Sequence, residues 1–370
     1  MPVRVTLRDI AGRAGVHFST VSLALKNSPR LPEGTRKRVQ AIALEMGYRH
    51  DPWLDALLAY RDANRRRLHP IVLGYVTSWD APIETLPHHR LFWLGARRRA
   101  EDLGFKLEHF SLADPGITAG RLEKILRARG IDGVILGSFS EGAARLDFDW
   151  SRLAAVRIEL QPAWPPLSTV SVDHLRAIQR AVCKVHELGY ARPGFVLEHN
   201  WSKLVEDHWL MGFLWAQQSL APEDRIPPLL LHRDDSLDKA RAVLASWRSR
   251  YAPDVLLGPH AQLAKHLAGG TRRAPKPAAI ADPFLETPHA IYAGIVHNLE
   301  AVGAKALELL AGMLAQNVRG IPREMTRTYI DSQWSDGPSC PPANGRTLRT
   351  AGLGRTGSAR CRSDAPGSTV

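Results

Sequence analysis

Two short helical stretches joined by a glycine turn open this 370-residue chain, and no other feature narrows its folding choices as sharply. Leu7, Ile10, Ala11 and Ala14 recur at helical spacing and form one apolar stripe. Thr6 can cap that helix, with Asp9 three residues on as a short capping-box partner. Gly15 stands where the chain must leave the helix, a place that suits positive φ. On the second stretch Val21 and Leu25 point inward, which leaves Ser19, Thr20, Ser22, Leu23 and Lys26 outward. A third helix is expected to begin near Glu33, whose charge suits a helix N-terminus, to bury Val39, Ile42, Ala43 and Met46, and to stop at Gly47. Three small helices around one core form a helix-turn-helix headpiece, which places its second helix in a DNA major groove.

The charge distribution agrees. The chain holds 49 Lys and Arg against 37 Asp and Glu, a net charge of +12. Residues 1–70 carry 13 basic and 6 acidic side chains, so +7 of that excess lies in under a fifth of the sequence. A basic excess attached to a helix-turn-helix is the electrostatic footprint of phosphate binding. No apolar run reaches the ~18–20 residues of a membrane-spanning helix, and no apolar signal-peptide core precedes the first helix. Cys183, Cys340 and Cys361 are far apart, odd in number and without metal-ligand spacing. A cytoplasmic protein with inert cysteines, no metal and no cofactor is the expectation. No nucleophile–base pair, metal cluster or glycine-rich phosphate loop is visible, so an enzyme is not expected.

Residues 71–331 alternate strand-like and helical segments. Ile71–Thr77, Phe105–Phe110, Ile131–Leu136, Ala154–Ile158, Gly194–Leu197, Leu229–His232, Val255–Gly258 and Ala278–Ala281 read as strands. Helices are expected near 91–103, 122–129, 175–188, 208–219, 236–250 and 299–314. The fold class is therefore α/β, with parallel sheets covered by helices on both faces. Ligands in such sheets bind beyond the carboxyl ends of the strands.

The headpiece resembles the lactose-repressor (LacI/GalR) family of bacterial transcription regulators. The resemblance rests on the run Val5–Val16, the triplet Thr20-Val21-Ser22, Thr35-Arg36 and Glu45-Met46-Gly47-Tyr48. The body is similar to the effector domain of that family through Gly74, Ile131-Asp132-Gly133-Val134-Ile135, Val172-Asp173, Leu188-Gly189-Tyr190, Gly194-Phe195, Gly212-Phe213 and Pro253-Asp254-Val255. The resemblance implies a two-lobe, periplasmic-binding-protein-like domain with a ligand cleft. It divides the chain into a headpiece (1–50), a hinge or linker helix (51–70), an effector-binding and dimerisation domain (71–331) and a disordered tail (332–370). The tail assignment also follows from its Pro, Gly, Ser and Arg content.

Several positions depart from the family pattern. His17 stands where a small polar cap is usual and caps less well. The base-reading positions fall on Phe18, Ser19 and Leu23. Leu23 cannot bond a guanine edge as an Arg would, so it either touches a thymine methyl or packs toward the core. Thr6, Phe18, Ser19, Thr20, Ser22, Leu23 and Lys26 are the candidate DNA contacts of the headpiece. Asp51-Pro52 can start a hinge helix in which Leu57 aligns with the Leu that wedges into the minor groove. That stretch runs on to Arg65-Arg66-Arg67, either as a basic extension on phosphates or as a longer amphipathic helix that pairs protomers or packs on the body.

In the cleft the family's sugar-binding Arg is replaced by Trp209, and an Asn-Asp pair by Pro259-His260. The candidate effector contacts are Ser78, Trp79, Glu159, Trp209, Asp282 and His297. Trp stacking with Asp hydrogen bonding suits a sugar-like ligand, whereas the lost Arg leaves a non-sugar ligand, or none, open. The expected function is a DNA-binding transcription regulator, a repressor, acting as a homodimer or higher on a near-palindromic operator and tuned by a small effector. The alternative is a constitutive or architectural DNA binder with a vestigial cleft.

Overall fold

The computed structural model describes residues 7–25, 28, 31–46, 48, 71–137, 139, 146–161, 164–267 and 279–343. Thr6, Lys26, Gly47, the 51–70 segment with Leu57, and residues 344–370 lie outside them. The chain divides into two compact units, Met1–Leu68 and His69–Val370.

The first unit is a three-helix headpiece: α1 (Leu7–Ala14), α2 (Phe18–Leu25) and α3 (Glu33–Glu45). Ile10, Ala11, Ala14, Val21, Ala24, Val39 and Ala43 form its core, with Leu25 and Ile42 packed at its edge. Gly15 adopts φ +64 between α1 and α2, a turn that an L side chain resists.

The second unit holds two lobes. The first has β1 (Ile71–Thr77), α4 (Pro87–Asp102), β2 (Phe105–Ser111), α5 (Ala119–Ala128), β3 (Gly133–Leu136), β4 (Ala154–Ile158) and β5 (Thr169–Val172). The second has α6 (His174–Glu187), β6 (Pro193–Glu198), α7 (His199–Leu204), α8 (His208–Ala216), β7 (Leu229–Leu231), α9 (Leu237–Tyr251), β8 (Val255–Leu257), α10 (His260–Leu267), β9 (Ala279–Leu285) and β10 (Ala293–His297). The chain then returns through α11 (Leu299–Ala315) and β11 (Arg327–Ile330) to the first lobe and ends in β12 (Ser332–Ser335) of the second.

The sheet orders are β11-β5-β4-β3-β1-β2 and β12-β10-β9-β8-β6-β7. All pairs are parallel except β10 with β12. Burial on both faces explains the apolar strands. Leu73, Tyr75 and Ile135 pack under α4 and α11, whereas Val76, Val134 and Leu136 pack under α5. In the second lobe Phe195 and Leu197 face α6 and α8, with Val196 on the opposite side toward α9. Helices α4 and α11 cross at two glycines. A Cβ on Gly95 would overlap the Glu300 carbonyl oxygen, and one on Gly303 the Phe92 carbonyl oxygen.

The body extends past the expected end at 331. Ser332–Ser335 pairs with β10, Cys340 is buried in the second lobe's core, and the Ala343 amide donates to the Leu188 carbonyl. The 332–370 tail assignment is thus corrected for residues 332–343. Their Pro and Gly content hid a strand held by a distant partner rather than by its own periodicity.

Three crossovers join the lobes: Val172 to His174, His297 to Leu299, and Ile330 to Ser332. Asp173 and Asn298 cap α6 and α11 by accepting from the Arg176 and Ala301 amides. This fixes the histidines beside them at the hinge.

Candidate functional site

On the headpiece, α2 presents Phe18 and Ser19 to solvent, with Thr20, Ser22 and Leu23 half-buried. Leu23 stands outside the headpiece core. His17 caps the helix with its ring: Nδ1 accepts the Ser19 amide (3.4 Å) and lies 2.9 Å from Ser19 Oγ. The imidazole thus does the work of the smaller polar cap, and its ring sits 4.4 Å from that of Phe18. Gln40 ties α3 to the end of α2 by donating to the Ala24 carbonyl. The Arg36 guanidinium reaches the Ser28 carbonyl.

In the body a cavity of about 720 Å³ opens at the carboxyl ends of strands from both sheets. Its volume lies in the range of small-molecule sites. Of the residues expected there, Trp79, Glu159 and Trp209 line it. Ser78, Asp282 and His297 are buried and stand behind its wall. Asp282 is committed to protein partners: one oxygen accepts the His260 amide and ring Nδ1, the other the Phe284 amide. That hydrogen bond pushes the His260 imidazole above its ordinary value. His297 donates from Nε2 to the Pro283 carbonyl and accepts at Nδ1 from Ser332 Oγ, so it ties two crossovers together. Burial pushes His297 down to about 3. Asp282 and His297 therefore shape the wall rather than offer free polar groups.

The residues missed in the sequence lie at the hinge and the cavity mouth. His174, the first residue of α6, accepts the Trp209 indole N–H at Nδ1 (2.9 Å) and donates from Nε2 to Glu159 Oε2 (2.8 Å). Ser171 Oγ donates to the same oxygen. Glu159 holds φ +70, unusual for a side-chain-bearing residue and a form of strain often kept at binding sites. Phe284 packs against the cores of both lobes and stacks near His174. His88 on α4 reaches Glu286 beyond β9 (3.4 Å). His89 lines the cavity and is pushed down to about 3, chiefly by burial. The signal that marks His174 is its position just past the carboxyl end of β5, a strand of four residues that is absent from those expected from the sequence.

A second contact across the lobes lies outside the cavity. Arg327 on β11 makes a two-pronged bond to Glu206, at 2.6 and 3.0 Å. Glu206 and Asp207 hold consecutive positive φ values of 52 and 58 between α7 and α8. Among the described residues no helix is long and apolar enough to cross a membrane.

Residues 6–51 match the family of bacterial regulatory proteins, lacI family. The HTH-type transcriptional regulator DegA of Bacillus subtilis is 22% identical over 259 residues, 69% of this chain and 72% of that protein. The HTH-type transcriptional repressor CytR of Escherichia coli is 28% identical over 204 residues, 52% of this chain and 53% of that protein. The fold is similar to a CelR transcriptional regulator–cellobiose complex, with a TM-score of 0.54 and 19% identity over 91% of this chain and all of that one. It is likewise similar to a lac repressor dimer bound to operator and an anti-inducer, with a TM-score of 0.53 and 15% identity over 92% of this chain and all of that one. The chain thus carries a lacI-family helix-turn-helix domain and, beyond it, is a relative of the LacI/GalR transcription regulators with their two-lobe fold.

Proposed function

We propose that this protein is a sequence-specific DNA-binding transcription repressor whose operator affinity is set by a small molecule in the inter-lobe cavity. The observation that carries the reading is α2, a ring-capped helix that presents Phe18 and Ser19 outward on a lacI-family headpiece. Thr20, Ser22 and Leu23 extend the same reading face; Thr6 and Lys26 as further DNA contacts and Leu57 as a minor-groove wedge belong to the same reading and lie outside the described residues. Leu23 contacts a thymine methyl rather than a guanine edge, which sets the operator apart at that base pair. The protein acts as a two-fold dimer on a near-palindrome, because two-fold symmetry in the protein calls for it in the site.

The cavity supports ligand control. A molecule that contacts both lobes favours the arrangement it fits by its differential affinity for the two states. A constitutive binder with a vestigial cleft accords less well with an open cavity of about 720 Å³. Selection of bound duplexes from a random DNA pool by the full-length protein, at fixed salt, tests the reading. An enriched inverted repeat supports it. Binding without enrichment, fading steeply with salt, overturns it in favour of phosphate contact alone.

A further inference from the structure

The charge balance around Glu159 identifies the kind of molecule that the cavity is built to hold. Indole Nε1 can only donate, so the 2.9 Å bond from Trp209 requires His174 Nδ1 to be an acceptor. His174 is then uncharged, with its one proton on Nε2, and that proton goes to Glu159 Oε2. The Glu159–His174 contact is therefore a neutral donor on a carboxylate and not an ion pair. The other donor to Glu159, Ser171, is also neutral. Oε1 is buried and has no hydrogen-bond partner among the described residues. The neighbouring buried guanidinium, Arg157, is turned to the Pro165 and Gln161 carbonyls.

The rest of the lining continues the pattern. Glu198 adds a second carboxylate against one guanidinium, Arg233, while Trp79, Trp201 and Phe284 supply aromatic faces. Trp209 and His174, which could have donated to a ligand's oxygens, spend their N–H groups on the chain that ends at Glu159. The amides of Gln161, Asn200 and Gln262 can donate or accept, so the feature that stands out is the buried Glu159 carboxylate oxygen without a partner, set among aromatic walls. An anionic ligand would meet Glu159 and Glu198 as like charges.

We propose that the cavity takes an organic cation, a protonated amine on an apolar or aromatic body, with its N–H groups directed to Glu159 and its body against the aromatic walls. A desolvated ammonium gains from both a carboxylate and aromatic faces. This inference rests on the reading of the cavity as the effector site. It is tested without DNA, so loss of operator binding and loss of ligand preference are separate results.

The experiment is calorimetric titration of the full-length protein with benzylamine, 2-phenylethylamine and tryptamine, each beside its neutral alcohol and anionic carboxylate counterpart, and with methyl glucoside. At least one amine is expected to bind about ten-fold or more tightly than its alcohol, with the carboxylates and the glucoside weaker still. Glu159→Gln is expected to shrink the amine-over-alcohol ratio to about three-fold or less. If that variant fails to fold, the wild-type series alone decides. Binding by none of the amines, or an alcohol, carboxylate or glucoside that matches or exceeds every amine, overturns the proposal.

Discussion

The indole N–H of Trp209 bonds to Nδ1 of His174 at 2.9 Å, and through it a helix of the second lobe is wired to a carboxylate of the first. Trp209 lies on α8, His174 on the crossover between β5 and α6, and Glu159 just past β4. Trp209 and Glu159, the two ends of this chain of bonds, both line the cavity.

Trp209→Phe keeps a smaller aromatic ring but removes the donor, leaving a buried imidazole nitrogen unpaired. A loss of about 1–3 kcal/mol is expected. Trp209→Ala adds a cavity and is expected to cost about 3–5 kcal/mol. Urea denaturation measures both; a Phe variant as stable as the wild type contradicts the bond's assigned role.

The crossing of α4 and α11 separates two glycines of one helix. Gly303→Ala forces a Cβ into the Phe92 carbonyl and is expected to destabilise by about 1–3 kcal/mol or more. Gly312 has no atom within 4 Å of a Cβ placed there. Gly312→Ala is expected to raise stability by up to about 1 kcal/mol through helix propensity. Thermal unfolding of the two variants should move in opposite directions.

Much of this architecture was legible in the chain. β1 and β4 are legible at their observed limits because a run such as Ile71–Thr77 is apolar on both faces, with Pro70 before it and Ser78 after it. β10 escaped notice: Gly294 breaks its pattern, and that glycine is needed because a Cβ would meet the Asp282 backbone. β12 and the burial of Cys340 depend on partners far away in sequence. At the site, Trp79 and Glu159 were legible as residues just past strand ends. His174 and Phe284 were not, because their meeting is a property of the hinge's tertiary path. Asp282 looks like a ligand contact in the sequence because it is acidic and follows the expected strand Ala278–Ala281, yet the His260 and Phe284 amides and the His260 ring hold it.

Stability should depend on pH through His297. Its native value, about 3, lies below the ordinary 6.5. The unfolded chain therefore binds the proton more readily below 6.5. The stabilisation is fully present above pH ~6.5 and is lost as pH falls toward ~3. His89 acts in the same direction. Urea denaturation between pH 7 and 4 should show falling stability for the wild type and a shallower slope for His297→Asn. An unchanged slope in that variant contradicts the assignment.

The Arg327–Glu206 contact joins the lobes at the surface, with the two side chains 45% and 30% exposed. Solvent screens such a pair, so a double-mutant cycle of Arg327→Ala and Glu206→Gln should return a coupling of about 0.2–1 kcal/mol. A coupling of several kcal/mol would show that the pair acts as a structural lock.

Operator recognition as proposed rests on α2 reading base sequence. The most direct measurement is the affinity ratio of the full-length protein for its selected duplex over a scrambled duplex at one salt concentration, repeated for Phe18→Ala and Ser19→Ala. The expected wild-type ratio is about 1,000-fold or more, with a marked fall in the α2 variants and little change in their affinity for the scrambled duplex. A wild-type ratio near one, or a ratio that both variants leave intact, contradicts it.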